Sequence, residues 1–269
     1  MLTIICSTLV GLLAGFGTYY GAKIPWGWAL FFGILAFMVI NIVVSLVIRR
    51  ATGLLNKQIE MAMLETRQKL EAMQNRFAYR PAGNQKQMMA MLEKEQNVGI
   101  RKAMENCDNF RRFYLWSPLL EKQINAMKVM FHFQLKEYDR VDALLPKCLM
   151  MDPQLMALKM ARMYKKGEEA GAIDKFFKKK CASLKGERCI LPVALYAWIL
   201  VKTERVDDAF KLLSTAKNKC DHEVIVSNWE HLANNRVKNF SNAPLGELWY
   251  ALGLEEMKMP KMRQQYRYR

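Results

Sequence analysis

Two long apolar segments without charged residues lie next to each other near the start of this chain. They cover residues 2–20 and 26–48, and a five-residue linker, 21–25, joins them. About 20 helical residues cross a hydrocarbon layer of ~30 Å, so each segment is long enough to span a bilayer. We therefore expect a transmembrane helical hairpin, with both of its ends on the same side of the membrane.

Basic residues are distributed unevenly around this hairpin. Arg49 and Arg50 follow the second segment directly, whereas the linker holds the single cation Lys23. Positive charge accumulates on the cytoplasmic side of membrane proteins. We therefore expect an integral membrane protein with both termini in the cytoplasm.

The first segment carries glycines at intervals that favour close packing of helices. They form two Gly-x-x-x-Gly pairs, Gly11 with Gly15 and Gly17 with Gly21. Small residues four apart let helix backbones approach closely, either within the hairpin or between two copies of the chain. Packing within the hairpin is the favoured interpretation. Neither segment contains Asp, Glu, Arg or His, which argues against a transporter or a proton pump.

The composition limits the function of the remaining residues. The formal net charge is +16, and residues 1–48 contribute only Lys23 to it, so the basic excess lies beyond the hairpin. A basic region attached to a bilayer suggests anionic lipid headgroups as a partner. The aromatic signature of RNA recognition is missing, so nucleic acid is not expected.

Cysteines, histidines and carboxylates give no indication of a chemical site. The six cysteines form no Cys-x-x-Cys pair, so we expect buried thiols in a reducing compartment. The three histidines lack the spacing of metal ligands. No phosphate-binding loop or hydrolase motif is present either. We therefore expect no enzyme activity, no metal and no cofactor.

Breaks in the helical pattern divide the chain. Pro81 and Gly83 interrupt a helix that follows the second span, and Pro118 and Pro153 are placed as the first residues of new helices. No segment shows strand-like alternation, so the expected fold is all-α. The predicted parts are a transmembrane hairpin (1–50), an amphipathic stalk (51–80), a helical domain (81–256) and a basic tail (257–269).

Three helix-turn-helix units of similar length follow Pro118. The second helix of each opens near Val141, Ala172 or Ala209, positions that are 31 and 37 residues apart, and a large apolar residue follows four positions later. In this spacing, residues 118–220 resemble the tetratricopeptide-repeat family, whose period is about 34 residues. The resemblance implies stacked helix pairs, that is, a tetratricopeptide-like α-solenoid on the cytoplasmic side.

The chain departs from that family at some positions. The early tryptophan of the repeat is absent, Val141 stands where alanine is usual, and Pro146 falls inside a second helix. The order of two spans followed by helical repeats is also similar to the bacterial HemY family, by architecture alone and without a shared motif. This similarity favours a bacterial inner membrane.

The resemblance also implies a concave surface that binds a peptide or an extended protein segment. The first helices of the units would line it with Asn125, Lys128, His132, Lys159, Met163 and Tyr196. Basic residues predict a second contact, with lipid headgroups or another anionic surface: Arg49, Arg50, Lys175, Lys178, Lys179, Lys180, Arg263 and Arg267. Solvated helix ends and a disordered tail are the alternative interpretation of these basic stretches.

The sequence as a whole predicts a membrane-anchored helical-repeat adaptor. It would bind an unidentified protein or peptide partner and localise it at the cytoplasmic face of the lipid bilayer. The alternative is a structural membrane homo-oligomer, assembled through the glycine-rich first span and the stalk. An enzyme or a nucleic-acid binder ranks behind both.

Overall fold

The structure, a computed structural model, describes residues 2–79 and 85–256 of the 269-residue chain. Over these ranges it consists of helices and turns, without a strand. The chain divides into two compact units, Met1–Leu149 and Met150–Arg269. The prediction of an all-α fold is therefore confirmed for the described residues.

The helices of each unit have the following bounds. Those described in the first unit are α1 (Leu2–Tyr20), α2 (Trp26–Tyr79), α3 (Gln85–Asp108), α4 (Pro118–Gln134) and α5 (Tyr138–Leu144), with 3₁₀ turns at Asn109–Phe113 and Leu145–Lys147. Those described in the second unit are α6 (Pro153–Lys165), α7 (Ala170–Lys180), α8 (Glu187–Lys202), α9 (Val206–Cys220), α10 (Glu223–Ala233) and α11 (Glu247–Tyr250), with 3₁₀ turns at Val237–Asn239 and Ala243–Leu245.

α1 and the first part of α2 form an antiparallel hairpin. Both helices are long and apolar enough to cross a membrane, and the most apolar 18-residue window of α2 has no residue buried inside the protein. The two helices touch at glycines. A Cβ atom added at Gly11 would lie 2.9 Å from the carbonyl oxygen of Gly33, and one added at Gly33 would lie 2.9 Å from that of Gly11. The close approach therefore depends on the absence of a side chain at both positions.

α2 continues without interruption from the apolar segment into the predicted stalk and is 54 residues long. Beyond the apolar segment, Leu55, Ile59 and Ala62 form a buried face. This face lies in a core with residues of α3 and α4 and with Phe110 of the intervening 3₁₀ turn. The stalk is thus stabilised within its own unit by burial of its apolar face.

Thr66 and Gly99 mark a close approach of α2 to α3. The buried Thr66 hydroxyl donates a hydrogen bond of 2.7 Å to the carbonyl oxygen of Ala62, one turn earlier. A Cβ atom added at Gly99 would overlap the hydroxyl and methyl groups of Thr66. Glycine at position 99 therefore allows the two helices to pack at this distance.

The division between the units lies after Leu149, whereas the sequence placed the main boundary near residues 80–84. Segment 80–84 lies outside the described residues. The helices on either side of it, α2 and α3, share one core because each covers the apolar face of the other. The stalk predicted at 51–80 and the first part of the domain predicted at 81–256 consequently belong to one unit.

α8 forms the centre of the second unit. Residues 191–200 are all buried, and α8 packs against α6, α9 and α10. Two buried amides attach the segment after α10 to α8: Asn228 Nδ2 donates to Asn242 Oδ1 (2.9 Å), and Asn242 Nδ2 donates to the carbonyl oxygen of Ala194 (2.8 Å). Because buried amides without hydrogen bonds are destabilising, these contacts hold the segment in one position.

The positions that carry the tetratricopeptide resemblance differ in their environments. Val141 and Ala209 are fully buried, whereas Ala172 is exposed and its neighbour Ile173 is buried instead. Pro146 lies in the 3₁₀ turn after α5, since proline lacks the backbone donor that a continuing helix needs. The α-solenoid stays a prediction.

A disulfide joins two cysteines that were expected to be reduced thiols. Cys189, in the first turn of α8, is bonded to Cys220 at the end of α9, and their Cα atoms are 5.9 Å apart. Next to this bond the Gly186 N–H donates to the carbonyl oxygen of Lys219 (2.9 Å). The expectation of six thiols is wrong for this pair, because an antiparallel helix pair brings together residues that are 31 positions apart.

Candidate functional site

The candidate site is a groove between α6 and α7 in the second unit. α6 begins at Pro153, where the Asp152 carboxylate accepts a hydrogen bond of 2.9 Å from the Gln154 N–H. Such a cap fixes the start of a helix. α7 buries Ile173 and Phe177, so the remaining faces of this short amphipathic helix point outward.

The groove has a volume of about 420 Å³. Its lining is partly apolar and partly basic: Lys159, Met163, Glu168, Ala172, Lys175, Phe176 and Lys179. Lys159 and Met163 are four residues apart on α6, and Lys175 and Lys179 are four apart on α7, so each pair shares a helix face. Met163 is buried while both α7 lysines are exposed. The groove therefore combines an apolar floor with a cationic rim.

The charge of the groove is positive. Three lysines line it against the single carboxylate of Glu168. The Lys159 Nζ lies 4.9 Å from the centre of the Phe176 ring, a distance at which a cation is attracted to an aromatic face. An occupant with carboxylates and at least one apolar side chain would match both properties.

The structure brings together residues that the sequence assigned to two separate sets. Lys159 and Met163 come from the predicted partner groove, and Lys175 and Lys179 come from the predicted anionic contact. The two sets lie on different helices, so their proximity depends on how α6 and α7 pack and has no local sequence signal. Ala172, near which the repeat spacing opens a second helix, is exposed and contributes to the lining of the groove.

Tyr196, also predicted for the partner groove, lies in the core of the second unit. It is 6% exposed, stacks on Phe177 with ring centres 4.1 Å apart and donates a hydrogen bond of 2.7 Å to Asp174 Oδ1. Burial and the Asp174 carboxylate raise the pKa of Tyr196. Arg205 pairs with the same carboxylate at 3.0 Å. Tyr196 therefore links α7 to α8, and its burial does not fit a role in lining the groove.

Three further predicted groove residues belong to the first unit. Asn125 is buried, and Lys128 forms an ion pair with Asp108. His132 is buried as well, and its Nδ1 lies 2.7 Å from Glu137 Oε2. The hydrogen bond with His132 is the main cause of the lowered pKa of Glu137. Lys128 and His132 thus have structural contacts within the first unit, and Asn125 is buried there.

The glycines predicted to pack the spans fall into two groups. Gly11 and Gly15 face α2, and a Cβ atom added at Gly15 would lie 3.4 Å from the carbonyl oxygen of Ala29. Gly17 has open space beside it, and an added Cβ at Gly21 would meet the carbonyl oxygen of Gly17. The first pair thus packs within the hairpin, and the second pair lies outside this contact.

The other predicted basic residues are spread over the chain. Arg49 and Arg50 are exposed on α2, where its apolar segment ends, and Lys178 and Lys180 are exposed near the end of α7. Arg263, Arg267 and the rest of the predicted basic tail (257–269) lie outside the described residues.

Neither a metal site nor similarity to a known protein indicates the function of this chain. Within residues 2–79 and 85–256 no group of three or more His, Cys, Asp or Glu side chains is arranged to hold a metal ion. Comparison with protein-family models, curated proteins and solved structures gave no match to this chain. The hairpin and the α6–α7 groove are therefore the features on which a functional proposal rests.

Proposed function

We propose that this chain is a membrane-anchored helical adaptor. α1 and the first part of α2 would anchor it in a lipid bilayer, and the α6–α7 groove would bind an acidic, partly apolar segment of a partner protein. The observation that carries the proposal is the convergence of Lys159, Lys175 and Lys179 around Met163 and Phe176. A surface of this kind selects a partner by charge and holds it by apolar contact.

The membrane anchor is supported by the exposed apolar side chains of the hairpin. Leu13 and Val47 are 71% and 61% exposed, and most of their apolar neighbours are exposed as well. A continuous apolar surface of this extent is unfavourable in water and favourable in hydrocarbon. The basic pair Arg49 and Arg50, set against Lys23 in the linker, supports termini in the cytoplasm. The membrane that we propose is a bacterial inner membrane.

The orientation is tested with an accessibility tag in linker 21–25. The proposal expects the tag to be labelled from outside intact cells and a second tag at the C-terminus to be labelled only after permeabilisation. The disulfide between Cys189 and Cys220 makes this test important, because disulfides persist mainly in oxidising compartments. External labelling of the C-terminal tag would overturn the cytoplasmic orientation and leave the anchor in place.

A structural membrane oligomer is the second candidate, favoured by the open space beside Gly17. The contacts within the chain argue against it, since Gly11, Gly15 and the buried face of the stalk are already used there. Native mass spectrometry of the full chain in detergent separates the two proposals. A strictly monomeric chain excludes the oligomer, whereas a defined multimer supports it.

Photocrosslinking tests the groove. The full chain carries benzoylphenylalanine in place of Phe176 and is irradiated in native membranes. We expect an adduct with one partner protein, and we expect the double variant Lys175→Glu/Lys179→Glu to lose it. Higher salt should also weaken it, because screening reduces attraction between exposed charges.

A charge-matched variant controls for the change in net charge. Lys211→Glu/Lys238→Glu reverses two exposed lysines of the same unit that do not line the groove, and it should retain the adduct. An adduct that survives Lys175→Glu/Lys179→Glu, or that is lost equally in both double variants, would refute binding in the groove.

A further inference from the structure

The turn between α3 and α4 presents apolar side chains on the surface of the first unit. Leu115 is 68% exposed, Leu119 is 57% exposed and Trp116 is 37% exposed. We call residues 114–119, which comprise the turn and the first two residues of α4, the membrane-proximal turn. Three large apolar side chains so close in sequence form a surface that water solvates poorly.

The conformation of this turn is fixed by the protein. The N–H groups of Trp116 and Ser117 both donate to the carbonyl oxygen of Phe113 at 3.0 Å. Phe110, in the preceding 3₁₀ helix, is fully buried in the core that α2, α3 and α4 share, and Phe113 packs against that core. The outward position of the apolar side chains is therefore set by a hydrogen-bonded turn that follows the buried Phe110.

The turn is bonded to the first residues of α1. The Leu2 N–H donates a hydrogen bond of 3.0 Å to the carbonyl oxygen of Leu115, and the Thr3 hydroxyl donates one of 2.8 Å to that of Trp116. Exposed apolar side chains begin directly afterwards, with Ile4 at 60% exposure. The membrane-proximal turn thus lies at the level at which the apolar surface of α1 starts.

Exposed cations precede the turn in sequence and follow the apolar segment of α2. Arg111 and Arg112 precede the turn and are both exposed. In the antiparallel hairpin, the start of α1 lies at the end where the apolar segment of α2 gives way to Arg49 and Arg50. Arginines beside exposed leucine and tryptophan side chains are typical of a protein surface that sits between anionic headgroups and hydrocarbon.

We infer that the membrane-proximal turn inserts Leu115, Trp116 and Leu119 into the headgroup layer of an anionic bilayer, with Arg111 and Arg112 against the headgroups. This inference rests on the proposed membrane anchor and adds a second attachment to it. The continuity with the apolar surface of α1, through two hydrogen bonds, favours lipid over a protein partner as the occupant. The attachment holds the first unit against the bilayer.

Spin labels of the full chain in vesicles of phosphatidylcholine and phosphatidylglycerol test the inference. Single labels are placed at Leu119 in the turn, at Leu64 on the exposed side of the stalk and at Leu35 in the second apolar segment, all three of which are exposed leucines. Their accessibility to dissolved oxygen and to a water-soluble nickel chelate is measured. We expect nickel accessibility at Leu119 to be several-fold lower than at Leu64 and closer to that at Leu35.

The outcomes separate the inference from the anchor. If the label at Leu35 is shielded from nickel but the label at Leu119 is as accessible as the label at Leu64, the inference is overturned. The proposed anchor stays intact in that case. Nickel access at Leu35 would overturn the anchor itself. Dipolar broadening between Leu119 labels would show that a second copy covers the turn, which also overturns the inference. The variant Arg111→Glu/Arg112→Glu should lose the extra protection that phosphatidylglycerol gives to Leu119.

Discussion

Replacement of Gly99 by alanine tests whether the packing of α3 on α2 depends on the missing side chain. The added methyl group would overlap the Thr66 hydroxyl and methyl groups and lie 2.7 Å from Thr66 Cβ. Carbon atoms in ordinary contact are about 3.5–4.0 Å apart. Overpacking of this kind costs about 1–3 kcal/mol.

Gly53 provides the matched control. It also lies inside a helix, but a Cβ atom added there has nothing within 4 Å. Both alanine variants gain about 1 kcal/mol of helix propensity, so the difference between them reports the steric cost alone. That cost corresponds to a melting temperature of Gly99→Ala roughly 2–10 °C below that of Gly53→Ala. Circular dichroism of the full chain in detergent measures it, and hydrogen exchange in α3 shows where the change occurs.

A second substitution identifies the contact responsible. Thr66→Ala removes the hydroxyl and the methyl group, so Gly99→Ala should destabilise the protein less in a Thr66→Ala background than in the original chain. Equal melting temperatures for Gly99→Ala and Gly53→Ala would refute the reasoning. So would the absence of any coupling between positions 66 and 99.

Three further predictions concern ionisable groups and the disulfide. Because folding lowers the pKa of Glu137, its carboxylate contributes stability that is complete above the ordinary pKa of 4.5. This contribution is lost as the pH falls through the lowered pKa. In acid unfolding, Glu137→Gln should therefore lose less stability than the original chain. Burial raises the pKa of the Cys181 thiol to about 12, so maleimide at pH ~8 should modify it only after unfolding, as mass spectrometry would show. Reduction of Cys189–Cys220, or Cys220→Ser, should lower stability by roughly 3–4 kcal/mol, and an unchanged melting curve would contradict this.

Local signals in the sequence predicted helix starts and the apolar hairpin correctly. Pro153 begins α6 with Asp152 as its cap, and Pro118 begins α4. Ser117, the residue before α4, makes no side-chain hydrogen bond to the start of that helix. Proline and hydropathy act within a few residues, which explains why such features can be predicted from one sequence.

Long-range contacts could not be predicted in the same way. Gly99 makes room for Thr66 on another helix, a contact that no local pattern around residue 99 indicates. The bond between Cys189 and Cys220, and the meeting of Lys159 with Phe176, likewise depend on how helices pair. The repeat spacing aligns Ala172 with Val141 and Ala209, but the buried residue is its neighbour Ile173. A shift of one residue rotates a helix face by about 100°, so spacing alone does not identify the buried position.

The uninterrupted course of α2 fixes how its apolar segment and the buried face of the stalk are rotated relative to each other. At about 1.5 Å per residue this helix is roughly 80 Å long, and it stays helical between the apolar segment and the buried Leu55 and Ile59. Any rotation of the apolar segment about its axis must therefore turn the buried face of the stalk by the same angle. α2 therefore couples twist and tilt of its apolar segment to the core that α3 and α4 complete.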